Sequence, residues 1–380
     1  MLNIQSGSTE FWRAWNHLLR PVSSRVETPR VKLSRRWKVL AVAAAAVLGV
    51  GGLPTAGAAS AAGASPVHIR FSTGGATPPN EMEAAIFSPE LQKKGILKGY
   101  DKDYTLSILT ASKGTPQTLS LLAADQIDIG TLGFSTIALG QAKHAIKGGF
   151  SVVVAQFVDA HPGYGANAYM VLKNSGISGP ADLKGKVIGT NQLGSASDIV
   201  LRAWLVNHKL DPRKDVQFVE SGYATQQAAL NSGRVALGTF VQPFEAMEQA
   251  SGKAKILFTT AEATGETAAI AVVARNNFLK EHPKAVKSFL ADWVAGLQWL
   301  AKPENRTEAI AIMSRITGTP TNVLGLVYGV KGKDYYRDLK GCPSAKALQN
   351  GIDAMVKVGD LKTRVDVSKL IDASYLPYPC

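Results

Sequence analysis

Short apolar runs bounded by turn residues alternate with amphipathic stretches throughout the chain after residue 65. The first pattern predicts strands and the second predicts helices. Ten strands are expected, at Val67–Ser72, Tyr104–Leu109, Ile127–Gly130, Ser151–Gln156, Ala168–Leu172, Lys186–Thr190, Val216–Glu220, Ala236–Phe240, Lys255–Thr259 and Ala268–Ala274. Strands that alternate with helices predict an α/β protein with largely parallel sheets.

Several helices between these strands have recognisable starts. One is predicted from Glu81 to Lys94, and a second begins at Thr115-Pro116, which supply an N-cap and a first-turn proline. Ser135 is predicted to cap a third helix. The longest helix is predicted from Pro283 to Ala301, where large apolar side chains repeat at helical spacing, and we interpret that stripe as core.

Residues 1–64 form a leader with the pattern of an export signal. The apolar run Val39–Leu53 is too short to span a bilayer and follows a dense basic region. Small residues come next, and cleavage is expected after Ala64. Ser34-Arg35-Arg36 resembles the twin-arginine signal, so both the Sec and the twin-arginine route stay open. An uncleaved membrane anchor is the alternative, which the brevity of the apolar run disfavours.

The positive charge of the chain is unevenly distributed, and its distribution changes what it indicates. The net charge is +13, but the leader holds eight basic and only two acidic residues, which is nearly half of the excess. In the rest of the chain basic and acidic residues are interspersed, without a basic run or an arginine-rich helix. The sequence therefore does not indicate a nucleic-acid partner, and a mildly basic body suits an anionic ligand.

The two cysteines, Cys342 and Cys380, both lie late in the chain. No cysteine lies directly after the leader's apolar run, so an acceptor for N-terminal lipidation is not expected. In an exported chain the two cysteines predict one disulfide that ties the C-terminal tail to the body, and two unpaired buried thiols are the alternative.

Motifs for catalysis and for metal binding are missing from the sequence. The six histidines show no H-E-x-x-H spacing, and the chain has no G-x-S-x-G elbow and no G-x-x-x-x-G-K-[ST] phosphate loop. We therefore expect a binding protein rather than an enzyme, with no metal and no cofactor.

Five blocks of sequence resemble, in order, those of periplasmic binding proteins that serve nitrate, sulfonate and taurine ABC importers. The blocks are Thr118–Thr136 (TLSLLAADQIDIGTLGFST), Ile177–Asn191 (ISGPADLKGKVIGTN), Gly194–Ser197 (GSAS), Ala229–Phe244 (ALNSGRVALGTFVQPF) and Val272–Leu290 (VVARNNFLKEHPKAVKSFL). Two departures occur in the fourth block, where Ala236 replaces the usual Asp and Gln242 the usual acid. An enzyme branch of the same superfamily uses a cysteine-rich motif to make the thiamine pyrimidine, and this chain lacks that motif.

The resemblance implies a two-lobed, type II-like binding-protein fold with a ligand cleft between lobes that a two-strand hinge joins. Lobe I is then residues 65–160 and 268–380, and lobe II is residues 161–267. The crossovers between the lobes are expected near His161 and Glu266. By this resemblance the chain is a monomer in the periplasm that captures a small anion of the sulfonate, nitrate or taurine type.

Partners implied by the resemblance are the permease and the ATPase of an ABC importer. Three alternatives remain open: the same fold binding an aromatic carboxylate or a thiamine precursor, an exported enzyme, and a sensor partner.

Ligands of open α/β sheets bind beyond the carboxyl ends of strands, where helices begin. Glycines there let backbone N–H groups approach, hydroxyls donate to an oxyanion, and helix N-termini add partial positive charge. Phe134, Tyr223 and Phe244 are expected to form an apolar wall for an organic tail, and a place in the core is the alternative for each. The ligand-binding residues predicted on these grounds are Thr73, Gly74, Phe134, Ser135, Thr136, Gly194, Ser195, Ser197, Gln242 and Phe244. For Ser135 and Ser195 the alternative is a purely capping role, since Ser195 and Asp198 form an S-x-x-D capping pattern.

Overall fold

A computed structural model describes residues 65–74, 82–111 and 114–380, so the predicted export leader lies outside the described residues. The strands are β1 Val67–Thr73, β2 Tyr104–Thr110, β3 Ile129–Gly133, β4 Phe150–Asp159, β5 Ala168–Leu172, β6 Val187–Thr190, β7 Gln217–Glu220, β8 Gly238–Phe240, β9 Ala254–Thr259 and β10 Thr267–Arg275. Each of the ten predicted strands is present, β5 with the predicted ends and the other nine with shifted ends, and the mixed α/β character is confirmed.

The strands form two groups. In the first, a five-stranded sheet has the order β2-β1-β3-β10-β4. The second consists of a sheet with the order β8-β5-β9 and the pair β6-β7. Two backbone hydrogen bonds, Gly189 N to Leu237 O and Ala236 N to Val187 O, each 2.7 Å, join β6 to the residues just before β8.

The expectation of largely parallel sheets was wrong. In the described residues, four of the seven strand pairs are antiparallel. The reason lies in the path of the chain, which leaves the first sheet after β4 and returns to it through β10, its antiparallel neighbour.

These two passages between the sheets lie side by side. Thr267 at the start of β10 pairs with Asp159 at the end of β4, and His161 Nδ1 lies 3.3 Å from Glu266 Oε1. The crossovers therefore run where the sequence placed them, near His161 and Glu266. The residue boundaries of the two lobes remain a prediction.

Thirteen α-helices occur in the described part of the chain. They are α1 Met82–Ile86, α2 Pro89–Lys93, α3 Thr115–Ala123, α4 Phe134–Ala142, α5 Ala196–Asn207, α6 Tyr223–Asn231, α7 Phe244–Ser251, α8 Thr260–Ala263, α9 Asn276–Glu281, α10 Pro283–Ala301, α11 Arg306–Thr317, α12 Thr321–Gly325 and α13 Ala345–Lys357. None of these helices is long and apolar enough to cross a lipid bilayer.

Three predicted helix starts need correction. The helix expected from Glu81 to Lys94 is two helices, because Pro89 cannot continue α1 and instead begins α2 behind the N-cap Ser88. Gly114 rather than Thr115 is the N-cap of α3. Gly133 is the N-cap of α4, which places Ser135 inside the first turn instead of at the cap.

The apolar stripe of α10 is core, as interpreted. Phe289 and Trp293 are buried, and the ring centroids of Phe289 and Phe87 are 5.0 Å apart in a stacked arrangement. Phe71 of β1 contributes a fourth ring, whose centroid is 6.1 Å from those of both Phe289 and Trp293. This aromatic cluster fastens α10 to one face of the first sheet.

The last helix, α13, connects the two groups of strands. It packs against β10 and α4 of the first group and against α5 of the second. At its buried Gly351, an added Cβ would lie 2.5 Å from the Phe134 ring, so only glycine permits this close approach. The absence of a side chain at position 351 of α13 therefore lets Phe134, the first residue of α4, lie directly against that helix.

Beyond α13 the chain is tied to the body by a disulfide. Cys342 and Cys380 are joined, with their Cα atoms 5.6 Å apart. The neighbouring Gly341 carbonyl accepts a hydrogen bond from Ala155 N of β4, 2.8 Å away. The C-terminal tail is thereby anchored beside the first sheet.

Candidate functional site

A small cavity of about 50 Å³ lies where the two groups of strands meet. Its wall includes Phe134 from α4, Ala196 and Ser197 from α5, and Tyr223 from α6. Each of these residues belongs to the first turn of its helix, and Phe134, Ala196 and Tyr223 are the first helical residues. Three helices thus begin at one cavity, one from the first group of strands and two from the second.

The local sequence explains why these helices start there. Gly133, Ser195 and Gly222 are the three N-cap residues, and all precede a helix that follows a strand. The first backbone N–H groups of a helix have no partner within it, and the helix dipole adds partial positive charge at that end. Three such ends at one cavity give a place where negative charge is favourable.

A pair of hydroxyl groups adds one free donor proton at the cavity wall. Ser197 Oγ and Tyr223 OH are hydrogen-bonded at 2.8 Å. Burial raises the pKa of Tyr223 to about 12, so its phenol keeps its proton at neutral pH. Among the residues that the structure describes, no lysine or arginine lies on the wall, so the positive charge that they supply there comes from the helix ends.

One carboxylate, that of Asp159 at the end of β4, also lies on the wall. Its Oδ1 accepts a hydrogen bond from Asn167 N and its Oδ2 one from Thr260 Oγ1, each at 2.8 Å. Burial is the largest influence on it and raises its pKa to about 6. Asn167 and Thr260 flank the two crossovers, so this carboxylate joins the two passages between the sheets.

Tyr335 closes the same corner of the cavity from the C-terminal segment. Its hydroxyl donates to Asn167 Oδ1 at 2.5 Å and accepts from Gln242 N at 3.0 Å. The ring of Tyr335 stacks on Phe157 of β4, with centroids 4.7 Å apart. Hydrogen bonds from three segments therefore hold the floor of the cavity in place.

The predicted ligand-binding residues divide into those on the wall and those behind it. Phe134 and Ser197 line the cavity. Gln242 lies just behind the wall, where its backbone N–H donates a hydrogen bond to the hydroxyl of the wall residue Tyr335. Phe244 is half-buried against a small apolar core that includes Met170, outside this cavity.

Four other predicted residues lie in the first sheet and in α4. Thr73 is buried, and Gly74 abuts Thr115, where an added Cβ would lie 2.5 Å from the threonine Cγ2. Thr136 Oγ1 is hydrogen-bonded to Thr115 Oγ1 at 2.8 Å. Ser135 is buried, and its Oγ has no hydrogen-bond partner among the described residues. None of the four lines the cavity.

Ser195 caps α5 as one of its two interpretations predicted. Its Oγ accepts from Asp198 N at 3.3 Å and donates to Asn191 Oδ1 at 2.8 Å. Gly194, with φ of 77°, supplies the left-handed turn before the cap and donates its N–H to Asp198 Oδ2 at 2.9 Å. Both residues shape the start of α5, and a ligand-binding role for either remains a prediction.

Sequence reasoning missed Asp159, Asn167 and Tyr335. The first two border the crossovers, and polar residues at both ends of a connection between sheets were the signal that could have drawn attention to them. Tyr335 lies in a segment without a recognisable motif.

Comparisons with known proteins agree with this architecture. The chain is 25% identical over 263 residues to a putative aliphatic sulfonates-binding protein of Bacillus subtilis (strain 168), covering 69% of this chain and 75% of that protein. The structure is similar to the alkanesulfonate-binding protein SsuA from Xanthomonas axonopodis pv. citri bound to MOPS, with TM-score 0.61, 20% identity, and 81% of this chain and 99% of that chain covered.

A second solved structure with the same likeness is the periplasmic nitrate-binding protein NrtA from Synechocystis PCC 6803. Its TM-score is 0.61 at 16% identity, and the match covers 82% of this chain and 87% of that chain. These likenesses confirm the periplasmic-binding-protein fold that the sequence blocks implied. The family model described as NMT1/THI5 like matches residues 96–306, more than half of the sequence, and the chain belongs to that family.

Proposed function

We propose that this chain is the solute-binding component of an ABC importer for a small anion of the sulfonate or nitrate type. The observation that carries the proposal is the meeting of three helix N-termini, from both groups of strands, at one cavity. Relatives whose names describe sulfonate or nitrate binding support the ligand class.

Binding of the anion rests on neutral donors. Backbone N–H groups at the starts of α4, α5 and α6 donate to its oxygens, and the hydrogen-bonded pair of Ser197 Oγ and Tyr223 OH leaves one hydroxyl proton to donate as well. An oxyanion accepts several hydrogen bonds at once, so these donors satisfy it without a buried lysine or arginine.

The size of the cavity favours a compact ligand. A water molecule needs on the order of 10–15 Å³ measured in this way, so about 50 Å³ holds roughly three or four waters. Nitrate or the head group of a short sulfonate matches that space. An aromatic carboxylate or a thiamine precursor, the alternatives from the sequence, requires the lobes to separate further.

In this proposal the protein acts by closing its two lobes around the ligand and catalyses no chemical reaction. The cavity lies between groups of strands joined by two adjacent crossovers, which is the geometry for a hinge that closes on a ligand. We propose that the protein acts in the periplasm, as a monomer exported through its leader, and hands its ligand to a permease driven by an ATPase subunit.

Isothermal titration calorimetry of the purified protein tests the proposal. Methanesulfonate, taurine and nitrate are titrated in turn, with methylammonium as a probe of opposite charge. We expect one or more of the anions to bind and methylammonium not to bind. Failure of all three anions would overturn the ligand class. Native mass spectrometry of the protein with bound anion should recover the ligand unmodified, whereas a changed ligand would indicate an enzyme.

Two substitutions localise the binding. Ser197→Ala and Tyr223→Phe each break the hydroxyl pair that donates to the charged acceptor and should weaken anion binding by roughly tenfold. Ser344→Ala is the matched control, since Ser344 caps α13 away from the cavity. Equal affinity in Ser197→Ala and Ser344→Ala contradicts a site at the α5 N-terminus. Unchanged affinity in Ser135→Ala and Ser195→Ala assigns those residues to structure alone.

A further inference from the structure

A second and much larger cavity, of about 570 Å³, lies behind the floor of the first. It is bounded by the end of α10, by residues 328–339 and by the crossover residues Gly163 and Tyr164. Tyr335 contributes to both cavities, and the other described residues that line them differ. The larger space therefore adjoins the proposed anion cleft at Tyr335 and otherwise has its own wall.

The wall of the larger cavity is strongly basic. Lys302, Arg306, Lys331 and Arg337 line it, against a single carboxylate, that of Asp334. Asp334 Oδ1 is engaged by Arg337 Nη1 at 2.8 Å, which leaves three cations without an ion pair in the described part of the chain. A concave wall with this excess of positive charge attracts an anion.

Two guanidinium groups are held in place there. Arg306 donates from Nε to Tyr328 O at 2.8 Å and from Nη2 to Gly325 O at 2.9 Å, so its plane is fixed and Nη1 remains for a ligand. Arg337 has only 9% of its side chain exposed, and its Nε is buried without a hydrogen-bond partner among the described residues. An oxyanion in the cavity therefore supplies an acceptor for Arg306 Nη1 and a second counter-charge beside Arg337.

Apolar side chains form the rest of the wall. Tyr164 and Leu339, each 46% exposed, present apolar surface together with the exposed Ala301 and Pro303, above the buried Leu297 and Leu300. An inorganic ion would leave this surface in contact with water. A ligand with both an anionic head and an apolar body satisfies the two kinds of wall together.

We propose that this cavity is a second binding site, for an amphipathic organic anion with one oxyanion head and a short hydrocarbon body. The head lies against Arg306 and Arg337, with Lys302 and Lys331 at the entrance, and the body lies along Ala301, Pro303 and Leu339. This proposal does not depend on the anion cleft, because the two cavities share only Tyr335 among the described residues that line them.

Calorimetry with octanoate and octane-1-sulfonate tests the site in the full chain. Octylammonium has the same body with the opposite charge, and acetate has the head without the body. We expect both long anions to bind, and octylammonium and acetate to bind at least tenfold more weakly, since each lacks half of the recognition. Equal binding of octylammonium would overturn the proposal.

Charge reversal at the entrance locates the bound anion. Lys302→Glu combined with Lys331→Glu should weaken octanoate by on the order of tenfold or more. The matched control, Lys280→Glu with Lys287→Glu, makes the same change in net charge at two exposed lysines away from both cavities. If both double variants bind octanoate alike, the site is not here. If Ser197→Ala rather than the entrance variant loses octanoate, the ligand lies in the cleft and the proposal fails.

Hydrogen exchange supplies a readout that does not depend on affinity. Octanoate should slow amide exchange in residues 161–165 and 328–339, which bound the cavity, and should leave α6 unchanged. Slowed exchange confined to the starts of α5 and α6 would place the ligand in the cleft and contradict the proposal.

Discussion

Asp159 should make the stability of this protein depend on pH between about 4 and 7. Its carboxyl group is 1% exposed and lies between the two crossovers, bound to Asn167 N and Thr260 Oγ1. Burial raises its pKa from 3.8 to about 6. Between these two values the folded protein holds a proton that the unfolded chain releases, so stability falls as pH rises through that window.

The size of the effect follows from the shift. A difference of roughly two units corresponds to about 3 kcal/mol between the protonated and ionised limits, at about 1.4 kcal/mol per unit. About 2 kcal/mol of this should appear between pH 8 and pH 4.5, because protonation of the folded form is nearly complete at the lower value. Asp159→Asn keeps the shape of the side chain and removes the titration.

Urea unfolding of the wild type and Asp159→Asn at several pH values between 4.5 and 8 measures this directly. The stability of the variant relative to the wild type should rise by about 2 kcal/mol from the acid to the alkaline end. Any fixed offset reflects the changed hydrogen bond to Thr260 and is independent of pH. Thr260→Val, which removes one donor to the carboxylate, should move the transition to higher pH. A constant difference between wild type and Asp159→Asn across the range would refute the reasoning.

Three further effects are expected in urea unfolding. Gly351→Ala should cost about 1–3 kcal/mol, because the added methyl meets the Phe134 ring, and titration calorimetry should show weaker binding in the cleft. Arg202→Met should cost about 3–5 kcal/mol, since Asp198 is fully buried beside it and Asp360 is its other partner, whereas unchanged stability would show that Asp198 takes up a proton at little cost. Reducing the disulfide should cost about 3–4 kcal/mol for a separation of 38 residues, and an unaltered unfolding midpoint in reductant would contradict its contribution.

The strands were predictable because their apolar runs are short and sharply bounded. Helix α10 was predicted with both of its ends, since Pro283 marks the start and the apolar stripe covers the full length. The helix expected across Ser88 failed because one proline outweighed the apolar pattern around it. The prediction of largely parallel strands was also wrong, because hydrophobic periodicity carries no information on the direction in which a chain returns to a sheet.

The site was predictable where chemistry is local. Phe134 and Ser197 follow strands and begin helices, which sequence shows, and both line the cavity. Tyr335 joins the same wall from 201 positions after Phe134 in the chain, through hydrogen bonds to Asn167 and Gln242. Such a contact depends on how the C-terminal segment folds back, and no local pattern encodes it.

The close approach of Gly351 to Phe134 has a consequence for changing what the protein binds. Phe134 forms one side of the cavity, while its ring rests on the glycine of α13 from behind. A methyl or larger group at position 351 pushes that ring toward the ligand without altering any residue that a ligand touches. Libraries intended to narrow ligand preference therefore gain from varying position 351 together with the wall, since the shape of the cavity is adjustable from its outer side.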